Sequence, residues 1–365
     1  MSNRRELLLI PGPTPVSDEV LHALSQKTIS HTDERFVKVF AKALEEMHPF
    51  FGMSQGQTFI ISGSGTLGME ISLSNILNEG ESLLVVSHGY FGDRFAEIGK
   101  TLGLDVDILK SNTGKTIHED SLKDYLNRKK YAAITFTHVD TSTGVIADME
   151  KFSKLVKKIS PDTLIVLDGV CATGGVPEEM DKWGIDVIFT GSQKAIAVPP
   201  GLTMLAFSER ALKKRRKMKK MRTYYGDILR WIPVMNDPHK YFATPPVNMI
   251  FALEKSLSTI IEKGLNNYYE KHRKLARKVR TAMKVFGFEN LPREEDAAPT
   301  LSVFSYPAGV EDFKFRTALK EKGVTVAGAL GKLKGKYFRM GHMGNITEQD
   351  IDLALKLIEE VLKEK

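Results

Sequence analysis

Short apolar blocks and longer amphipathic stretches alternate through the first two thirds of this chain. Residues 58–61, 83–86, 131–136, 164–167 and 187–190 are largely uninterrupted runs of Val, Ile, Leu, Phe and Ala at strand length. Strands buried on both faces read this way, so the pattern from about 58 to 207 predicts an α/β fold with a mostly parallel central sheet covered by helices. Between the runs the period changes to that of a helix. Phe36, Val39, Phe40, Ala43 and Met47 predict one helix over 33–51, and Leu67, Ile71, Ile76 and Leu77 give the buried side of another that opens at Thr66. Ser17-Asp18-Glu19 reads as the start of a helix from Val20 to Ser25, and Phe95 and Ile98 mark a further one.

After residue 250 the texture differs. One long helix is predicted over 250–286, then a strand at 301–304, a helix at 313–322, a strand at 336–340 and a last helix from Glu348, which together describe a smaller α+β C-terminal domain. The expected division is an extended segment over 1–16, a large domain over 17–255 and a small one over 256–365.

Composition changes this picture little. The chain has 365 residues, 42% of them hydrophobic, enough for a sizeable core. Its single cysteine, Cys171, excludes an internal disulfide framework and suits a reducing compartment. The apolar run 7–10 is too short for a signal peptide or a membrane span, so a cytoplasmic protein is expected, with no membrane partner. Charge is more local. The net charge is +7, yet Arg210, Lys213, Lys214, Arg215, Arg216, Lys217, Lys219, Lys220 and Arg222 supply nine positive charges with no acid between them. A solvated helical face is the plain reading of this stretch, 210–222. A nucleic-acid surface is the rival, and no aromatic interleaves the run before Tyr224-Tyr225.

Candidate chemistry centres on Thr190-Gly191-Ser192-Gln193-Lys194. A strand delivers Lys194 onto a Gly/Ser turn flanked by Ala195-Ile196-Ala197-Val198, where partial burial would favour the neutral amine, a nucleophile toward carbonyls. A lysine snorkelling from a strand end is the alternative. The run 164–167 ends in Asp168, at the carboxyl end of a buried strand where open α/β sheets place ligand groups. A buried carboxylate needs a cation, and pyridoxal phosphate requires this pairing, an imine-forming lysine with an Asp at the ring nitrogen.

Ser62-Gly63-Ser64-Gly65-Thr66 joins a strand to a helix, and Ser64, Gly65 and Thr66 can cradle an anion on backbone N–H groups; a tight turn needing glycine explains the same residues. The run also satisfies G-x-G-x-x-G, but the next strand closes on Ser87-His88 where a dinucleotide site wants an acid, and no Gly-Lys-Ser/Thr follows for a P-loop. The aromatic pair Tyr90-Phe91 at a strand end suits stacking on a ring or capping of a core. Hydroxyls cluster over 137–144, as ligands or turns require. Arg339 within the apolar run 336–340 needs a buried anion, a ligand carboxylate or a structural partner. The nine histidines show no metal-binding spacing, and no G-x-S-x-G elbow occurs.

With Ser62-Gly63-Ser64-Gly65-Thr66, Asp168-Gly169-Val170 and Gly191-Ser192-Gln193-Lys194 before Pro199-Pro200-Gly201 in this order, the chain resembles the class V aminotransferases, fold type I transferases dependent on pyridoxal 5'-phosphate, and within them the alanine–glyoxylate / serine–pyruvate aminotransferase family. The resemblance runs from Pro11-Gly12-Pro13 to the last helix. It implies Lys194 as the catalytic Schiff-base lysine and Asp168 on the ring nitrogen. Val170 would lie under the ring, Phe91 stacked on it, Thr141 at its hydroxyl, and Ser64, Gly65, Thr66 and Gln193 around the phosphate. Tyr241 and Thr244 match a segment that in the family reaches the neighbouring subunit's phosphate, which implies a homodimer with shared active sites. Arg339 matches the arginine for the substrate carboxylate. Ser30-His31 stands where many relatives have Gly-His, so Ser30 is expected to narrow the substrate pocket.

The resemblance implies a transaminase that moves an amino group from alanine or serine to glyoxylate or pyruvate. Aspartate or aminoethylphosphonate transaminases and lyases share the scaffold and are the alternatives. A cysteine desulfurase needs its cysteine on a C-terminal loop, whereas Cys171 follows Asp168 by three residues. A nucleic-acid-binding protein using 210–222 is the alternative of a different class.

Overall fold

The computed structural model describes residues 6–364. The first five residues of the expected N-terminal segment lie outside them. The apolar blocks form a seven-stranded sheet in the order Gln57–Ser62, Leu202–Phe207, Val187–Gly191, Leu164–Asp168, Ala133–Thr137, Ser82–Ser87, Asp105–Lys110. Leu202–Phe207 runs antiparallel to both neighbours, and the other pairings are parallel. In the centre the register sets Thr137 opposite Asp168 and Asp168 opposite Phe189. Two strand ends therefore meet at one level, and the third strand runs on to Gly191. The polar edge strand Asp105–Lys110 escapes a search for apolar runs, because it is open to water on its outer side.

Two expected helices are each split. The stretch 33–51 becomes Glu34–Glu46, capped by Asp33, and a short His48–Phe51. Pro49 has no N–H to continue the first ladder, so the chain restarts there. The stretch 250–286 becomes Val247–Lys263 and Leu265–Val285, parted by Gly264 at φ 84°, a conformation that suits glycine and ends a helix.

The sheet and its helices enclose the larger apolar core, with Phe59, Phe136, Phe189 and Phe207 fully buried. A second core gathers Leu275, Val279 and Met283 of the long helix with Phe304, Phe315, Phe338 and Ile358, and it also takes in Leu7 and Leu9 from the start of the chain. The strand Leu7–Leu8 pairs in parallel with Val324–Thr325. Leu9 then accepts a hydrogen bond from Gly341 N at 2.9 Å. A small third cluster, including Cys171, Ala195, Val303 and Met343, lies between the two.

The basic stretch is only partly a solvated face. It forms the helix Glu209–Lys217, from which Arg210 grips Asp186 and the carbonyls of Pro161 and Thr163. Lys214 bonds Glu81, and Arg215, 5% exposed, donates twice to Asp227. These cations staple the sheet's flank, leaving Lys213, Arg216, Lys217, Lys219 and Lys220 exposed. Among the described residues no helix is long and apolar enough to cross a membrane, and no group of His, Cys, Asp and Glu could hold a metal.

Candidate active site

At the carboxyl ends of the central strands lies a cavity of about 170 Å³ lined by Ser64, Gly65, Thr66, Phe91, Thr141, Asp168, Val170, Gln193 and Lys194, with Met69, Arg94, Val139 and Cys171 completing it. Nine of the expected site residues thus meet in one place.

Lys194 leaves the strand Val187–Gly191 on a turn that is clasped from both sides. Val198 N returns to Ser192 O at 3.0 Å and Ala197 N to Lys194 O at 2.9 Å, with Ala197 at φ 57°, a strained setting for a residue with a Cβ. From the N-terminal segment Thr14 N bonds Gln193 O at 3.1 Å and Thr14 Oγ1 bonds Lys194 O at 2.7 Å. The amine itself donates to Pro11 O at 2.5 Å. Gly12 beside it has φ 125°, which favours glycine, and a Cβ there would fall 2.6 Å from Lys194 Nζ and push the amine aside.

Asp168 is 3% exposed, and its Oδ1 accepts one hydrogen bond, from Val170 N at 2.9 Å. Burial raises its pKa to about 7; the nearby charges of Asp140 and Glu178 add to the rise, while the Val170 bond and Lys194 oppose it. Behind it Glu178 accepts from Thr173 Oγ1 at 2.6 Å and pairs with His138 Nδ1 at 2.8 Å, and His138 N donates to Asp168 O.

The helix Gly65–Ser74 begins at Ser64 without a side-chain cap, so its first N–H groups are presented to the cavity. Gly65 allows Val170 to approach, because a Cβ would fall 2.7 Å from Val170 Cγ2. Phe91 sits in the first turn of Tyr90–Thr101, and its position is set by a residue that the sequence reading passed over. Asp140, fully buried, accepts from Phe91 N at 3.0 Å, Gly92 N at 3.3 Å and Ser142 Oγ at 2.6 Å. It caps the helix and holds the loop carrying Thr141. Burial pushes its pKa up against these bonds. The sequence signal was present in 137–144, where the hydroxyls drew attention away from the acid.

Arg94 was also passed over. Its guanidinium lies 4.9 Å from the Phe91 ring centroid, donates to Thr66 Oγ1 at 3.1 Å, and lines the cavity beside the uncapped helix. Arg339 is largely buried, bonded to the carbonyls of Gly328 at 2.9 Å and Thr141 at 3.4 Å. Burial lowers its pKa, and among the described residues no carboxylate pairs with it. An anion is what it lacks.

Ser30, Tyr241 and Thr244 are not at this cavity. They form an exposed patch where Tyr241 Oη meets Thr244 Oγ1 at 3.3 Å and the His31 and Tyr241 rings are 5.4 Å apart; Ser30 bonds Thr32. Cys171, three residues past Asp168, lies in the cavity wall, and burial raises its thiol pKa.

The profile of the aminotransferase class-V family matches residues 10–336. This chain is a class V aminotransferase. Alanine–glyoxylate aminotransferase 1 of Saccharomyces cerevisiae is 35% identical over 94% of this chain and 93% of its own length. L-aspartate–glyoxylate aminotransferase of Paracoccus denitrificans is 30% identical over 93% and 87%. The crystal structure of an alanine–glyoxylate aminotransferase from Nostoc sp. superposes with a TM-score of 0.94 at 28% identity, covering 99% of this chain and 96% of that one. The architecture of this aminotransferase is therefore the α/β fold of the pyridoxal-phosphate-dependent transferases, with its mostly parallel central sheet. The cavity suits that cofactor on its own evidence. A buried carboxylate awaits a cation, an uncapped helix start awaits an anion, an amine stands between them, and the Gln193 amide keeps a buried oxygen without a partner.

Proposed function

We propose that this aminotransferase moves the amino group of a small amino acid, alanine or serine, to glyoxylate or pyruvate, with Lys194 as the amine that carries pyridoxal phosphate. The observation that carries this reading is the single cavity in which the Lys194 amine, the Asp168 carboxylate and the open start of Gly65–Ser74 converge. The names of the relatives supply glyoxylate as acceptor, and alanine or aspartate as donor.

When bound, the cofactor supplies an aldehyde for amine exchange and a ring that takes up the electron pair left at the substrate Cα. The chain's own groups do the rest. Asp168 holds a proton on the ring nitrogen, as its need for a cation suggests. Val170 and Phe91 would hold the cofactor's ring, Thr141 its hydroxyl, and Ser64, Gly65, Thr66 and Gln193 its phosphate. Arg339 binds the substrate carboxylate and so directs the Cα–H bond toward Lys194. Lys194 Nζ, once free, removes the Cα proton as a base and returns one as an acid. Ser30, exposed and away from its own cavity, would border the substrate entrance of the neighbouring copy. Tyr241 and Thr244 serve the neighbouring copy's phosphate in a cytoplasmic homodimer, which accounts for their exposure and distance from their own cavity.

Aspartate as donor is the second reading, favoured by the name of the Paracoccus relative. The nucleic-acid alternative loses Arg210, Lys214 and Arg215 to internal carboxylates. Borohydride reduction of the coloured protein followed by peptide mapping should place the label on Lys194; a label elsewhere, or none, overturns the proposal. Turnover of alanine, serine, aspartate and aminoethylphosphonate against glyoxylate and pyruvate then selects the substrate pair.

A further inference from the structure

Behind the lysine turn, on the side away from the active-site cavity, lies a second cavity of about 180 Å³. Its front wall is the segment after Lys194. Ile196 and Ala197 line it, Tyr268 Oη fastens Ala195 O at 2.8 Å, and Ser256 Oγ fastens Ile196 O. Its floor is the helix Leu265–Val285, which contributes Tyr268 and Lys271, and Lys263 stands at the preceding helix end.

Lys271 is held in an unusual way for a lysine. Its Nζ donates to Gly344 O at 2.8 Å and lies 5.2 Å from the Tyr268 ring centroid, and among the described residues no carboxylate pairs with it or with Lys263. The neighbouring His272 offers no charge relief. It donates from Nδ1 to Tyr268 O and accepts Gly344 N at Nε2, and burial lowers its pKa to about 3, so it stays neutral. The other ionisable groups near Lys271 are Lys263, Glu19 and Asp350.

We propose that Lys271 is a second carbonyl-reactive amine of this chain, and that its cavity captures a small 2-oxo carboxylate as an imine. The neutral amine attacks the carbonyl carbon, a C=N bond replaces C=O, and the oxygen leaves as water with both amine protons. Lys263 meets the carboxylate of the captured acid. Burial, with the Lys263 charge, lowers the Lys271 pKa to about 8, against the usual lysine value of about 10.4, so a far larger share is neutral at neutral pH than for an exposed lysine. The adduct would rest against the back of residues 195–197, and would draw Nζ from Gly344. The choice of a 2-oxo acid rests on the activity proposed above; the reactivity of the amine does not.

The test treats the holoenzyme, whose Lys194 is occupied, with glyoxylate and cyanoborohydride at neutral pH, and follows carboxymethylation of each lysine peptide by mass. Lys271 is expected to be modified at least about tenfold faster than exposed lysines such as Lys219. Lys263→Met should slow that modification several-fold with glyoxylate but not with acetaldehyde, which has no carboxylate to guide. Lys271→Met should remove the modification while transamination persists, which shows that the variant folds. Modification of exposed lysines before Lys271 overturns the proposal, and equal effects of Lys263→Met on both aldehydes overturn its carboxylate arm. Failure of the transaminase reading would appear instead as absent turnover with Lys271 still reactive.

Discussion

Asp168 concentrates the chemistry of the site in one protonation equilibrium. In the cofactor-free protein, burial holds its pKa at about 7, above the ordinary carboxylate value of 3.8. The folded protein therefore prefers it protonated, and the associated stability is present below about pH 4 and is lost as pH rises through 7. Asp168→Asn should make the cofactor-free protein more stable than the parent above pH 7, by up to roughly 4 kcal/mol, and leave it unchanged near pH 4; denaturant titrations at the two pH values measure this. The same substitution should cut kcat by at least about a hundredfold, because a neutral amide cannot hold the ring proton as firmly. Arg94 answers to a different readout. Arg94→Ala should raise the cofactor dissociation constant about tenfold with the fold intact, as expected for one charge-assisted contact, and an absorbance titration reports it. Asp168 was legible in the sequence because it ends an apolar run, and Lys194 because it stands on the turn between two. Arg94 and Asp140 were not, since a residue one turn into a helix, or within a loop of hydroxyls, has no pattern that sets it apart until the strands bring the loops together.

Among the elements, the helix Glu209–Lys217 shows how a charge run divides its work. Arg215 lies inside the flank of the sheet against Asp227, whereas Lys219 is exposed just past the helix end. Arg215→Ala should cost about 1.5–3 kcal/mol, because Asp227 loses both guanidinium bonds and keeps, among the described residues, only Arg230 at 3.8 Å and Leu229 N, and Lys219→Ala should stay within about 0.5 kcal/mol; thermal melts separate the two. From sequence the run looked uniform, because its internal partners Asp186, Glu81 and Asp227 lie on other elements. The strands were read well for the opposite reason, their burial being written into consecutive residues such as Leu164 to Leu167. Breaks were harder to read. Gly264 sits between two stretches of similar period, and only its φ of 84° reveals that one helix has become two.

At the scale of the whole molecule, the proposed sharing of sites predicts complementation. Lys194→Ala chains and Tyr241→Ala chains, each expected to be inactive or nearly so alone, should regain activity when refolded together, because a mixed pair has one site with both residues intact. Activity no greater than the separate proteins give would show that Tyr241 acts within its own chain. The smaller core has a consequence of another kind. Leu7 and Leu9 belong to it, the strand Leu7–Leu8 lies along Val324–Thr325, and a few residues later Pro11 takes the hydrogen bond of the Lys194 amine. During synthesis Leu7 and Leu8 emerge long before Val324 and Thr325, the residues they pair with. The segment that carries Pro11 over the reactive amine thus gains its anchor only after the strand Val324–Thr325 has been made.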